Sequence, residues 1–134
     1  MSAVTFDYGM KKSVPFSIDE ADARVRAALK EEGFGVLTEI DVRATLKKKL
    51  DVDFRPYRIL GACNPQLAHQ ALTAEIDIGL LLPCNVVVYA GESAEESVIS
   101  VLDPEVQLAA SGRTDIEPLA KEVRARMLRV LDAV

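Results

Sequence analysis

Residues 57–89 read YRILGACNPQLAHQALTAEIDIGLLLPCNVVVY. The order is strand, turn, helix, turn, strand. Tyr57 to Cys63 is apolar and β-rich, which predicts a strand. Asn64 is a good helix N-cap, and Pro65 suits the first helical position, where its missing amide hydrogen costs nothing. The helix runs to about Glu75 and buries Leu67, Ala68, Ala71 and Leu72. Ile78 to Tyr89 then reads as a second strand. Pro83 inside it implies an edge position or a bulge, because proline cannot donate to a ladder. Both cysteines of the chain fall in this stretch, each followed by asparagine: Cys63-Asn64 and Cys84-Asn85.

Upstream, Ala3 to Met10 alternates, with Val4, Phe6, Tyr8 and Met10 on one side, and predicts a half-buried strand. Ser17-Ile18-Asp19-Glu20 is a capping box. It opens a helix to about Glu32, with Val25, Ala28 and Leu29 on the buried stripe and Gly33 at the left-handed stop. Phe34 to Val42 predicts a strand, with Val36, Thr38 and Ile40 on one face and Leu37, Glu39 and Asp41 on the other. Ala44 to Leu50 predicts a short helix. Downstream, the polar segment Ala90 to Glu96 joins the strand ending at Tyr89 to a strand over Val98–Leu102 as an antiparallel hairpin. Asp103-Pro104 starts a short helix ending near Gly112. The last helix begins near Pro118 and carries Leu119, Val123, Met127, Val130 and Leu131 on one face.

The chain has 134 residues, which suits a single domain over 1–134 able to bury roughly two-thirds of its unfolded surface. Hydrophobic residues make up 49% while aromatics are 5% and Trp is absent, so the core is aliphatic. A net charge of −5 argues against nucleic acid, whose binders neutralise phosphates with clustered basic side chains. The basic run Lys47-Lys48-Lys49 is followed by Asp51 and Asp53 and reads as a solvated helix face. The longest apolar run, Ile78 to Cys84, is broken by Gly79 and Pro83 and falls short of the ~20 residues that span a bilayer. With no charged segment followed by an apolar core at the start, the expected setting is cytoplasmic, with no membrane partner. Two cysteines there are expected as thiols.

Cys63 directly precedes a predicted helix start, whose partial positive charge favours a thiolate. It reads as a reactive or metal-binding thiol, or as a small apolar residue ending a core strand. Cys84 admits the same two readings. Neither lies in a CxxC, and His69 falls on the polar side of its helix, so no metal ligand set is assigned. Glu39 and Asp41 are two apart on a strand and project to one face. They read as an acid–base or cation-binding pair, or as a solvated sheet edge. Asn64 and Asn85 suit caps and turns as well as ligand contacts. Arg58 is placed to pair with Glu39 or Asp41. No nucleophile–base constellation and no phosphate-binding glycine loop is visible.

Three segments in this order resemble the domain-of-unknown-function 302 family of bacteria and archaea. They are Glu32-Gly33-Phe34-Gly35-Val36-Leu37-Thr38-Glu39-Ile40-Asp41-Val42, Leu60-Gly61-Ala62-Cys63-Asn64-Pro65 and Leu81-Leu82-Pro83-Cys84-Asn85. The resemblance covers nearly the whole chain. It implies an α+β, two-layer fold: a mainly antiparallel sheet with helices packed on one face, in the TATA-binding-protein-like order β-α-β(4)-α. It also implies a homodimer. A helix between two strands suggests a parallel crossover by default; the resemblance implies antiparallel pairing instead. Some members carry histidine where this chain has Val42, so no imidazole role transfers to that position.

The expected function is that of an uncharacterised homodimeric domain binding a small ligand in a cleft near Cys63, Asn64, Cys84 and Asn85, with Glu39 and Asp41 as further candidates. A thiol-based redox or soft-metal-binding protein using Cys63 and Cys84 is the alternative. An enzyme using Glu39 and Asp41 is a weaker one. No cofactor is assigned.

Overall fold

The computed structural model describes residues 3–134. Strands β1 (Val4–Phe6) and β2 (Gly9–Val14) form a hairpin, and helix α1 (Ile18–Glu31) follows. Next come β3 (Gly35–Asp41), α2 (Val42–Leu50), β4 (Tyr57–Cys63) and α3 (Pro65–Ala74). A 3-10 helix, Ile76–Leu81, leads into β5 (Cys84–Ala90) and β6 (Ser97–Leu102), and α4 (Pro104–Ala109) and α5 (Glu117–Ala133) close the chain. The six strands make one sheet in the order β1-β2-β6-β5-β4-β3, with every neighbouring pair antiparallel. Taking β2, α1, β3 to β6 and α5 in turn gives the β-α-β(4)-α order. The remaining elements are additions to that frame.

Opposed residues of antiparallel strands share a face, so the registers sort the sheet into two sides. Met10, Leu60, Ala62, Val86, Val88, Ile99 and Val101 lie on the inner side and are fully or almost fully buried. They pack against Val25 and Leu29 of α1 and Val123, Met127, Val130 and Leu131 of α5. A second, smaller apolar cluster joins Ala71, Ile78, Leu108, Ile116 and Ala120 beneath α3 and α4. α2 buries no residue. Among the described residues no helix is long and apolar enough to cross a membrane.

Two inner polar contacts tie helices to the sheet. Lys12, 8% exposed, donates from Nζ to the carbonyls of Leu131 at 2.9 Å and Val134 at 2.7 Å. These are C-terminal carbonyls of α5, where a helix leaves acceptors without partners and favours positive charge. Arg58 reaches α1, with Nη2 2.6 Å from Asp19 Oδ1 and Nη1 3.3 Å from Asp22 Oδ2.

Several sequence-based expectations are corrected. The run Ala3–Met10 is broken at Asp7–Tyr8 by a turn, so Val4 and Phe6 lie opposite Lys11 and Gly9 while Met10 faces the core. The strand expected over Ile78–Tyr89 begins only at Cys84. Its first part is the 3-10 helix, which Glu75 caps onto Asp77 N at 3.3 Å. A short apolar run fits a buried strand and a buried helical turn equally well. Pro83, preceded by a cis peptide, stands just outside the ladder. α2 starts at Val42 rather than Ala44, because Asp41 Oδ1 accepts from Ala44 N at 2.9 Å. A bulge at Leu37 separates Val36, opposite Ala62, from Thr38, opposite Gly61, so Val36 does not share a face with Thr38 and Ile40. Arg58 pairs with α1 and not with Glu39 or Asp41.

Candidate functional site

The two Cys-Asn motifs meet where β4 and β5 lie side by side. Ala62 is the register partner of Cys84, so Cys63, one residue on, lies at the same end of the ladder, with alternation placing it on the face of Gly61 and Cys84 on the face of Ala62. Three local choices build this corner. Asn64 Oδ1 accepts from Leu67 N at 3.2 Å and starts α3 at once. Gly61 leaves room for Thr38 and Pro83: a methyl group there would collide with Thr38 Oγ1 and stand 2.9 Å from Pro83 Cγ. Gly33, at φ +84°, ends α1 in the left-handed region, and a side chain on it would meet Asn64 Nδ2 at 2.8 Å. The three glycine- and asparagine-bearing segments therefore pack on one another.

Between this corner and the helices lies a cavity of about 200 Å³. Its walls come from Leu37 at the bulge, Ala62 and Cys63 on β4, Leu67, Ala71 and Leu72 on α3, Leu82 to Cys84, Gln107 and Leu108 on α4, and Leu119 and Val123 on α5. No acidic, basic or histidine side chain lines it. Both cysteines are free and half-buried.

Gln107 is the polar residue that holds this wall together. It is 6% exposed. Its Nε2 donates to the carbonyl of Leu81 and, at 3.4 Å, to that of Pro83, while its Oε1 accepts from Cys84 Sγ at 3.6 Å. One amide thus satisfies two carbonyls of the turn before β5 and orients a thiol. Burial pushes the Cys84 thiol up to about 11; the Gln107 contact pulls it down in part, and the neighbouring Cys63 adds to the rise. A neutral thiol is the form this wall favours at neutral pH.

The sequence candidates divide among three places. Cys63, Asn64 and Cys84 line the cavity. Asn85, one residue on, points to the other side of the sheet, as strand alternation requires. There it joins Phe6, Tyr8, Lys11, Tyr57 and Tyr89 around a shallow groove. The Tyr57 and Tyr89 rings stack at 5.5 Å and 9°. Burial raises the Tyr57 phenol, as do Tyr89 and Tyr8. Glu39 and Asp41 are exposed on β3 and absent from the cavity wall. Glu39 Oε1 lies 3.2 Å from Arg26 Nη2, and Asp41 caps α2.

Gln107, Leu37 and the α5 residues were not legible as site residues. Gln107 sits in the short helix that Asp103-Pro104 opens, and its role depends on the turn at Pro83 folding back onto α4. The Asp103-Pro104 helix start was the available signal. Among the described residues no three His, Cys, Asp or Glu side chains cluster as metal ligands.

Residues 10–134 match the family described as Domain of unknown function DUF302. The chain is also similar to the crystal structure of an uncharacterized conserved protein DUF302 from Bacillus stearothermophilus, at 29% identity and a TM-score of 0.87. That match covers 96% of this chain and 98% of the other. Among curated proteins, none matches.

Proposed function

The chain belongs to the DUF302 family, and we propose that it serves as a homodimeric domain that binds a small, uncharged, largely apolar ligand between the two Cys-Asn motifs. The observation that carries this reading is the cavity of about 200 Å³ that Cys63, Asn64 and Cys84 line together with leucines of α3 and α5. A polar site would need convergent unpaired donors or charges. Here the Gln107 donors are spent on Leu81 and Pro83, and Asn64 Oδ1 is spent on α3. An apolar void of ~150 Å³ holds benzene, while drug-sized ligands need ~300 Å³ or more. The ligand is therefore one ring or a short aliphatic chain.

Dimerisation is supported by the outer face of the sheet. By register, its positions are Gly35, Thr38 and Ile40, Tyr57, Ile59, Gly61 and Cys63, Asn85, Val87 and Tyr89, Val98, Ser100 and Leu102, Gly9, Lys11 and Ser13, and Val4 and Phe6. Lys11 alone is charged among them. A solvated antiparallel face normally alternates in charged and polar residues. Six strands at ~4.8 Å spacing and ~20 Å length present roughly 600 Å² in projection, the order of the ~800 Å² per partner of a stable interface. The occupant this face fits is a second copy presenting the same uncharged surface.

Native mass spectrometry of protein purified without reductant or chelator tests the ligand reading. The expected species is a dimer carrying added mass, lost when Ala71→Leu fills the cavity. Added mass unchanged in that variant, or an apo species that takes up no apolar compound, would overturn it.

A further inference from the structure

Leu37 is placed by a break in the ladder. Val36 lies opposite Ala62 and Thr38 opposite Gly61, so Leu37 is the extra residue of the bulge. In an unbroken register Leu37 would itself stand opposite Gly61, on the face of the sheet away from the helices. Thr38 holds that place instead, and closely: a methyl group on Gly61 would collide with Thr38 Oγ1. Bulges re-aim side chains beside sites, and this one sets Leu37 on the wall of the cavity. Leu37 is nonetheless 71% exposed. An apolar residue that meets both the wall and water belongs to a mouth. The rest of the wall grades the same way: Ala62, Ala71 and Val123 are buried, whereas Leu67, Leu72 and Leu119 are half-buried.

We propose that the cavity takes a straight-chain amphiphile end-on, apolar tail inward, and that Leu37 is the residue that selects for the length of that tail. The proposal rests on the cavity being a ligand site, and it names the chemical class of ligand for that same site. A polar group carried into the cavity would lose its water and find no partner, because the Gln107 donors and Asn64 Oδ1 are engaged within the fold. At the mouth the same group stays hydrated. The six carbons of benzene fill a void of ~150 Å³, so a cavity of about 200 Å³ takes a tail of roughly six to eight carbons. The innermost carbons meet the buried floor. The outermost meet Leu37 and cover its exposed surface. No acidic, basic or histidine side chain lines the wall, so the site asks for no charge on the head group, and a primary alcohol is the simplest probe.

The test is a titration with the n-alkanols from butanol to octanol, beside benzene, each followed by the methyl resonances of Leu72 and Leu119. The expected affinity rises about fourfold per methylene, the gain of burying one CH₂, up to hexanol or beyond. Leu37→Ser removes apolar surface at the mouth and leaves the buried core untouched. It should weaken octanol about fivefold while butanol and benzene keep their wild-type affinities. An octanol affinity unchanged in the variant, or an equal loss for butanol and octanol, overturns the role of Leu37. An affinity that stops rising at butanol overturns the end-on tail. Benzene bound without any gain along the alkanol series removes this proposal and leaves the cavity as a ligand site; no saturable binding of benzene or any alkanol removes both.

Discussion

Cys84 is held in its neutral form by burial in an apolar wall, with only the weak contact to Gln107 Oε1 as relief. A thiol raised to about 11 from an ordinary 9.0 carries roughly a hundredfold less thiolate at neutral pH. Thiolate is the species that alkylates. Iodoacetamide labelling of Cys84, followed by peptide mass, should therefore be slow at pH 7.5 and should accelerate about tenfold per pH unit up to about 11. A rate levelling off near pH 8.5 would contradict this. The sign for stability follows. The unfolded chain loses the proton first, so this thiol's contribution is whole below about 9 and is lost as pH rises to about 11. At the same scale Gly61 accounts for its place between Leu60 and Ala62. Only a residue without Cβ lets Thr38 and Pro83 close over β4 and shape the cavity's rim.

Among the elements, α5 depends on a contact made by the distant strand β2. Lys12 donates to two carbonyls at the end of α5 from an almost buried position. Replacing it with methionine keeps the stem and removes both donations. Hydrogen bonds from charged groups contribute about 1.5–3 kcal/mol each, so Lys12→Met, which removes two from one ammonium, should lower unfolding stability by at least about 1.5–3 kcal/mol in urea titration. A change within 0.5 kcal/mol would show the contact to be incidental. This contact was not legible in the sequence, since nothing local in Lys11-Lys12 says which amine turns inward. Local signals did place α1, α3 and α5: the Ser17 cap, the Asn64-Pro65 start and Pro118 in the first turn each correspond to an observed helix start. Signals failed where tertiary contacts decided. The Ile78–Leu81 part of that run falls in a 3-10 helix because Ile78 packs with Leu108 and Ile116, and Gln107 holds the carbonyls of Leu81 and Pro83. Asp41 read as a carboxylate candidate, whereas its position at the end of β3 makes it the cap of α2.

At the scale of the whole molecule, the helices leave one sheet face free and enclose a cavity on the other. The antiparallel pairing of β4 and β5 is what brings Cys63 and Cys84 to a common corner. A parallel crossover would have put them at opposite ends of their strands. That pairing came from the family resemblance, and residue periodicity alone does not distinguish it. The free face implies a specific outcome for association. Val87 lies in the middle row, opposite Ile59 and Ser100. Val87→Glu should convert a particle of twice the 14.6 kDa chain mass into a monomer by light scattering, with an unchanged circular dichroism spectrum. A dimer that persists would move the interface elsewhere.

The most direct measurement on the cavity is a benzene titration followed by methyl resonances. Occupation predicts saturable shifts for Leu67, Leu72, Leu82 and Leu119, which line it, with none for Val14 or Val130, which pack in the main core. Shifts spread evenly over both groups, or none at all, would contradict a ligand site between the two Cys-Asn motifs.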